Sequence, residues 1–344
     1  WLIILIVLPI LGLILYAFFG RGISQENLFA INRQKHLGLR NVQKTIAQPP
    51  KKTRPSDTSN KGKIAIKFFN KNEDTPLTKN NHVTLFNDGK EMFKALLRDI
   101  QNAKETINIE FYTFYNDEIG NKVLNLLIKK AKEGLDIHLL YDAWGSMGAT
   151  TSWFNQLRKA GGQVLPFITS RNMITRYRIN YHLHRKIVVI DGKISWTGGF
   201  NIGDQYLGKK KKFGYWRDSQ VRMVGSSSLL LQERFVMDWN ASIDKHTKVI
   251  TYNERIFPNL DETDIDNGDV PTQVIFDGPD RYDSYMRNGM MRLMLLARKR
   301  LWIQTPYLIP DDAMFAAWQT IASSGVDVRI MIPCKPDHPF IYRA

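Results

Sequence analysis

The segment between residues 182 and 201 carries a spaced set of residues that could do chemistry. His184 and Lys186 stand two positions apart, directly before the apolar run Ile187–Ile190, and Asp191 follows that run. In an extended chain, residues two apart point to the same side, so the imidazole and the ammonium group are predicted to lie together. An imidazole can attack phosphorus or protonate a leaving oxygen, and a lysine can neutralise phosphoryl oxygens. A carboxylate can hold the imidazole in one tautomer. The spacing therefore favours phosphodiester chemistry.

A pair of glycines, Gly198 and Gly199, follows a few residues later, with Asn201 after it. Glycines allow an anionic group to approach the backbone, so these three residues are predicted to line a phosphate pocket. The alternative is a structural histidine followed by an ordinary turn at Asp191. The complete spacing favours the functional interpretation, because few structural needs would specify all of these residues at once. The single cysteine, Cys334, excludes a multi-cysteine zinc site.

The sequence around residues 182–201 predicts strands that alternate with helices, and these elements would position the segment. The apolar run Ile187–Ile190 has the composition of a buried strand. Further strands are predicted at Val83–Phe86, Ile107–Tyr112 and Leu135–Tyr141, and helices at Glu91–Ala103 and Glu118–Lys132. This alternation predicts an α/β fold.

The same order of elements returns later in the chain. Residues 297–303 repeat the pattern of residues 103–109, and residues 325–330 repeat that of residues 134–139. We interpret this as two copies of one domain. Residues 1–344 contain one His-x-Lys-x4-Asp pattern, and the repeat places a counterpart of His184 beyond Ala344. The sequence, which starts with Trp1, is therefore expected to be a fragment that does not turn over alone.

The N-terminal region predicts a membrane partner. Residues 1–19 contain no charged residue, and about 20 apolar residues can span a bilayer, so residues 1–20 are predicted to form a transmembrane helix. Between Arg21 and Lys63 there are ten basic residues and two acidic ones. The net charge of +15 requires a negatively charged partner, either nucleic acid or an anionic membrane. The position of the basic segment beside the apolar one favours the membrane, with the remaining chain on the cytoplasmic side.

The complete pattern, His184-x-Lys186-x4-Asp191-x6-Gly198-Gly199 followed by Asn201, resembles the signature of the phospholipase D superfamily. The wider stretches HRKIVVIDGKISWTGGFNIGDQYLG and YWRDSQVRMVGSSSLLLQERFVMDW resemble the bacterial cardiolipin synthases of that superfamily. This resemblance implies a duplicated phospholipase D-type fold, with a mixed sheet flanked by helices in each lobe. The domains expected from it and from the composition are a transmembrane helix (1–20), a basic juxtamembrane linker (21–80), a first lobe (81–255) and an incomplete second lobe (256–344).

The resemblance also implies a reaction. A phosphatidyl group passes from one phosphatidylglycerol to another through a phosphohistidine intermediate, and glycerol is released. His184 is then the nucleophile or its acid/base counterpart, Lys186 binds the phosphoryl oxygens, and Asp191 supports the histidine. Gly198, Gly199 and Asn201 line the phosphate pocket. The implied enzyme needs no cofactor and no metal.

The implied partners are phosphatidylglycerol and an anionic phospholipid membrane, without nucleic acid, and the implied location is the bacterial cell membrane. Two alternatives stay within the superfamily: a phospholipase D that gives the intermediate to water, and a phosphatidyltransferase that uses another alcohol. A nuclease is disfavoured, because about half of the charge excess lies beside the apolar N-terminal segment.

Overall fold

The computed structural model describes residues 2–19, 59–70, 75–167, 182–243, 247–260, 268–278 and 284–334. The chain divides into two compact units. The first comprises Trp1–Thr53 and Thr78–Val274, and the second comprises Arg54–Leu77 and Ile275–Ala344. The lobe boundaries expected from the sequence stay a prediction.

Within the described residues, helices and strands alternate along most of the chain. The helices are α1 (Leu2–Val7), α2 (Pro9–Phe19), α3 (Asn60–Phe69), α4 (Gly89–Asn102), α5 (Glu118–Lys132), α6 (Thr151–Lys159), α7 (Ser227–Ser242), α8 (Tyr285–Met294) and α9 (Asp312–Ser323). The strands are β1 (Thr78–Asp88), β2 (Thr106–Phe111), β3 (Asp136–Tyr141), β4 (Gln163–Pro166), β5 (Lys186–Ile190), β6 (Ile194–Gly198), β7 (Arg217–Val224), β8 (Val270–Thr272), β9 (Arg300–Gln304) and β10 (Asp327–Met331).

The first unit is built on one eight-stranded mixed sheet in the order β4-β3-β2-β5-β6-β7-β1-β8. Strands β2, β3 and β4 run parallel, and β5 pairs antiparallel with β2. From β5 onward each neighbouring pair is antiparallel. The carboxyl ends of β2 and β3 therefore meet the start of β5 at one edge of the sheet. This edge, named here the H-x-K edge, is where β5 begins at Lys186.

Both faces of the sheet bury apolar side chains, and one of them also buries polar ones. Ile107 and Ile109 of β2 belong to the apolar core that lies between the sheet and helices α4, α5 and α6. The intervening residues Asn108 and Glu110 are also fully buried, on the face that α7 covers. The second face also buries large apolar side chains, among them Ile187, Val189 and Trp239. Burial of each such side chain contributes about 1.5–3 kcal/mol, so both faces stabilise this unit. The second face contains a buried polar layer directly behind the H-x-K edge.

Local sequence signals define the helix starts. The Oδ1 atom of Asp88 accepts hydrogen bonds from the backbone N–H groups of Lys90 and Glu91, which caps α4. Helix α5 spans Glu118–Lys132 as predicted, and Gly134 after it has a φ of +92°. Glycine adopts this left-handed conformation without steric cost.

The second unit contains a strand-helix-strand segment of the same order as the first. Strands β9 and β10 flank α9 and pair parallel, with Arg300 opposite Asp327. In the first unit, β2 and β3 flank α5 and also pair parallel, with Thr106 opposite Asp136. The prediction of an α/β fold with a mixed sheet flanked by helices is confirmed by the first unit.

The N-terminal segment differs from the prediction. Residues 2–19 form two helices, α1 and α2, and not one continuous helix, so the transmembrane helix predicted over residues 1–20 is not shown and stays a prediction. Pro9 has no N–H group, and its ring clashes with the preceding turn, which breaks the helix at this position. The two helices then pack closely, because a Cβ atom on Gly12 would lie 2.7 Å from the carbonyl oxygen of Ile4. No helix in the described parts of the chain combines the length and the apolar character needed to cross a bilayer.

Residues 20–58, which include most of the predicted basic linker, lie outside the described residues.

Candidate active site

The predicted pair of His184 and Lys186 lies at the H-x-K edge. Residues 182–185 lead into β5, and Lys186 stands opposite Phe111, the last residue of β2. His184 is exposed to solvent, whereas only 4% of the surface of Lys186 is accessible. The imidazole is therefore accessible to a substrate, and the lysine side chain is held in place behind it.

The structure brings the two side chains together. The Nζ atom of Lys186 lies 3.2 Å from Nδ1 of His184, and it donates a hydrogen bond of 2.7 Å to the carbonyl oxygen of the same histidine. Tyr112 packs beside both groups. Its ring centroid is 5.0 Å from that of His184 and 5.7 Å from the Nζ atom. The predicted geometry of an imidazole beside an ammonium group is present.

The charges of this pair suit reaction at a phosphate. Loss of hydration, and then the positive charge of Lys186, lower the pKa of His184 to about 4, so the imidazole is neutral at pH 7 and keeps a lone pair. Burial lowers the pKa of Lys186 to about 8, while Asp218 acts in the opposite direction. Most of the lysine is therefore still protonated at pH 7. A neutral nitrogen nucleophile beside a cation is what attack on an anionic phosphodiester requires.

A second histidine, His182, and a buried aspartate, Asp142, lie beside this pair, and neither was predicted from the sequence. Asp142 follows β3, and its Oδ2 atom accepts a hydrogen bond of 2.9 Å from the N–H of Leu183, between the two histidines. The same oxygen lies 3.3 Å from Nδ1 of His182. Its Oδ1 atom accepts from the N–H groups of Trp144 and Gly145. Asp142 thus fixes the backbone that presents His184. An acidic residue at the carboxyl end of a parallel strand was the available signal in the sequence.

Asp191 lies far from the histidine it was predicted to support. It follows the last residue of β5, whereas His184 precedes the first, and five residues at about 3.3 Å each separate these ends by about 16 Å. The carboxylate accepts three backbone hydrogen bonds of 2.8–2.9 Å, from the N–H groups of Lys104, Glu105 and Thr106. The predicted role of Asp191 as the support of the imidazole therefore does not fit the structure. Asp191 joins the end of β5 to the start of β2.

The backbone at Asp191 explains why this position is followed by glycine. Asp191 and Gly192 have φ values of +53° and +63°, and the N–H of Lys193 bonds to the carbonyl oxygen of Ile190. Two consecutive positive φ values at the centre of a two-residue connection define a type I′ turn, for which Asp-Gly is a preferred pair. The turn joins β5 to β6.

The two predicted pocket glycines are packed against β7. A Cβ atom on Gly199 would lie 1.9 Å from a carboxylate oxygen of Asp218, and one on Gly198 would lie 2.3 Å from the carbonyl oxygen of Ser219. The space left by the missing side chains is thus occupied by protein. The glycines place Asp218 close to the site, which is consistent with its effect on the pKa of Lys186.

Asn201 is buried in the loop that follows β6. Its Oδ1 atom accepts a hydrogen bond of 3.1 Å from the N–H of Thr113, and its Nδ2 atom donates one of 2.8 Å to the hydroxyl of Tyr206. This side chain connects two loops of the H-x-K edge. Its predicted contact with phosphate stays a prediction.

A buried group of charges lies behind the pair, on the face covered by α7. Arg185, the residue between His184 and Lys186, donates a hydrogen bond of 3.0 Å to Oδ2 of Asp238, and Arg234 also binds this carboxylate. Burial, and then the charge of Asp238, raise the pKa of Glu110 well above its ordinary value. Arg185 therefore anchors the H-x-K segment to α7 from behind.

Comparison with known proteins agrees with this chemistry. Residues 96–239 match the family model described as cardiolipin synthase, phospholipase D-like domain. The chain is 42% identical over 347 residues to a cardiolipin synthase of Listeria welshimeri, and the match covers all of this chain and 71% of that protein. The chain belongs to the cardiolipin synthase family. A cardiolipin synthase of Staphylococcus aureus is 39% identical, with all of this chain and 69% of that protein covered.

A solved structure agrees with the fold. The phosphatidylserine synthase of Haemophilus influenzae superposes with a TM-score of 0.53 at 19% identity, over 79% of this chain and 66% of that one. At this identity the likeness concerns the α/β fold alone.

Proposed function

We propose that this protein is a cardiolipin synthase, a phosphatidyltransferase that joins two phosphatidylglycerol molecules and releases glycerol. Family membership supports the reaction. The single structural observation that carries the proposal is the Nζ atom of Lys186, which lies 3.2 Å from a neutral, solvent-accessible His184.

The proposed reaction has two transfers at one phosphorus. In the first, a histidine nitrogen forms a P–N bond, the P–O bond to glycerol breaks, and an acid protonates the departing oxygen. In the second, the hydroxyl group of another phosphatidylglycerol gives its proton to a base and attacks phosphorus, and the P–N bond breaks. His184 serves either as the nucleophile or as the acid/base group of this pair.

Lys186 controls which ring nitrogen of His184 is available. An ammonium group can only donate, so in the observed geometry Nδ1 accepts from Lys186 and Nε2 carries the proton of the neutral ring. Attack by Nε2 requires that proton to move to Nδ1. A bound phosphate would attract the ammonium group toward its oxygens and free Nδ1 for this proton. Lys186 thus couples substrate binding to activation of the histidine.

The other predicted site residues are proposed to position this pair. Asn201, Gly198 and Gly199 hold the loops of the H-x-K edge, and Asp191 ties β5 to β2. We assign to Asp142 the role of holding the backbone that presents His184, because its carboxylate accepts a hydrogen bond from the N–H of Leu183.

The enzyme is proposed to work at the bacterial membrane, with the catalytic units on the cytoplasmic side. Helices α1 and α2 expose apolar side chains that water does not favour, including Ile3, Ile6 and Ile10, each more than three-quarters accessible. The ten basic residues between Arg21 and Lys63 favour an anionic leaflet.

The test is the full-length protein purified into phosphatidylglycerol micelles, with the lipid products read by mass analysis. Cardiolipin and free glycerol are expected in equal amounts, and His184→Ala should form neither. Phosphatidic acid as the only product would identify a hydrolase. A phosphatidylserine product in the presence of serine would identify a different transferase, and either result would refute the proposal.

A further inference from the structure

Two exposed clusters lie on the H-x-K edge, one on each side of β5. Strand β3 ends at this edge, and the loop after it carries the first cluster. Strand β6 also ends there and β7 begins there, so the loop between them, residues 199–216, carries the second. Neighbouring strands are about 4.8 Å apart, and β3 and β6 lie two strands and one strand from β5, so the bases of both clusters lie within about 10 Å of β5.

The first cluster is apolar and held in position. Trp144 is 50% exposed and Met147 is 63% exposed. The loop beneath them is fixed, because Asp142 accepts the N–H groups of Trp144 and Gly145, and the hydroxyl of Ser146 donates to the carbonyl oxygen of Tyr112. The ring centroid of Trp144 lies 6.2 Å from that of His182. Large apolar side chains are therefore presented to solvent next to the catalytic pair by a well-ordered turn.

The second cluster is basic. Lys209 to Lys212 are all exposed, and Tyr215 after them is 69% exposed. Lys209 forms an ion pair with Glu118, and Lys210 lies near Asp117.

The base of this loop is fixed by aromatic packing, since the rings of Phe213 and Trp216 lie 5.4 Å apart in an edge-to-face arrangement. With Lys209 and Lys210 offset by carboxylates, Lys211 and Lys212 carry most of the positive charge outward.

We infer that the H-x-K edge rests on an anionic bilayer, with Trp144 and Met147 in the interfacial layer and Lys211 and Lys212 against the lipid phosphates. Tryptophan and long apolar side chains partition into this layer, and lysines contact anionic headgroups. A phosphatidylglycerol headgroup then reaches His184 while its acyl chains stay in the membrane. The inference rests on the proposed function, since it names the surface through which that function meets its substrate.

The test measures the environment of single positions, because helices α1 and α2 can attach the protein to vesicles by themselves. A polarity-sensitive fluorophore is attached to Met147→Cys in a Cys334→Ser background, and to Asn102→Cys as a control. Asn102 is exposed and ends α4 next to the start of β2, at the edge of the sheet opposite the H-x-K edge. With phosphatidylglycerol vesicles, emission from position 147 should rise and shift to shorter wavelength, while emission from position 102 should not change.

A charge variant tests the second cluster. Combined Lys211→Gln and Lys212→Gln should reduce the response at position 147. The matched control is Lys129→Gln with Lys132→Gln in the last turn of α5, at the opposite edge of the sheet, and it should leave the response unchanged. An equal response on phosphatidylcholine vesicles, or no effect of the two lysine changes, would overturn the inference.

Activity separates this inference from the proposed function. A protein that makes cardiolipin while position 147 stays in water would refute the membrane-resting edge and leave the synthase proposal standing. A label that enters the membrane without cardiolipin formation would do the reverse.

Discussion

Replacement of Asp191 by asparagine separates stability from catalysis at this motif. Asparagine tolerates the left-handed backbone of the type I′ turn, where φ is +53°, so Asp191→Asn removes the charge and leaves the turn intact. The remaining amide oxygen can keep two of the three N–H bonds, as weaker neutral ones. The amide NH2 group then faces the third N–H, that of Lys104, donor against donor.

The expected loss follows from these contacts. A hydrogen bond to a charged group contributes about 1.5–3 kcal/mol, and this carboxylate is partly exposed, so the unfolding free energy should fall by about 2 kcal/mol. For a domain of this size, that corresponds to a fall in Tm of about 4–8 °C. The effect on His184 should be small. A unit charge more than about 16 Å away contributes at most about 1 kcal/mol at an effective dielectric constant near 20, which is at most about six-fold in rate.

The assay combines thermal unfolding in detergent with cardiolipin formation per mole of folded protein, measured well below the Tm. His184→Ala should retain the wild-type Tm and lose turnover. Asp136→Asn is the stability control, because its carboxylate is half-exposed and paired 2.8 Å from Arg255, a surface ion pair that contributes at most about 1 kcal/mol. If Asp191→Asn lost turnover as His184→Ala does, at an unchanged Tm, the structural role assigned to Asp191 would be refuted.

Three further outcomes are expected. The pKa of Lys186 is about 8, so kcat/KM should fall as the pH rises through 8 and the ammonium group loses its proton. Lys186→Arg should lower the rate at pH 7 and remove this alkaline fall, and the same pH profile in the variant as in the wild type would contradict the role of Lys186. Asp142→Asn should reduce kcat by about ten-fold or more with a smaller effect on KM, because the N–H of Leu183 loses its charged acceptor beside His184. Steady-state kinetics of the folded variant measure both constants, and an unchanged kcat would contradict this role. Burial raises the pKa of Glu110, so the folded protein retains a proton that the unfolded chain releases above the ordinary pKa of 4.5. The stability of the wild type should therefore decline as the pH rises from that value. Glu110→Gln should gain stability relative to the wild type between pH 5 and pH 8, and a difference in denaturant midpoint that stays constant over this range would refute the prediction.

The parts of the site that could be predicted are those set by local pattern. Period-two spacing placed His184 and Lys186 on one side of the chain, and the apolar run after them is a buried strand, as predicted. The boundaries of α5 were also correct, because its capping residue Asp117 and the glycine Gly134 flank the segment. Such signals depend on neighbours a few residues away.

The remaining parts depend on contacts between distant segments, and pattern alone does not specify these. The partners of Asp191 lie 85–87 residues away, so only the sheet order shows that its carboxylate points toward β2 and not toward His184. Asp142 lies 41 residues from the N–H it holds. The break at Pro9 could not be predicted for a different reason. Proline is tolerated in membrane helices when other groups take up the freed carbonyl, and the sequence does not show whether they do.

The pairing of β1 has a consequence for synthesis on the ribosome. This strand is the first of the sheet in the chain, but its neighbours are β7 and β8, and Thr78 bonds to Thr272 across 194 residues. At about 5–20 residues per second, β1 waits about 10–40 s for its last partner to be made. During this interval the nascent chain exposes an unpaired strand edge, which is a site for aggregation or chaperone binding. Strands β2, β3 and β5, which lie at and beside His184, are synthesised well before β8. Folding of this unit is therefore expected to start around the H-x-K edge and to end with the pairing of β8.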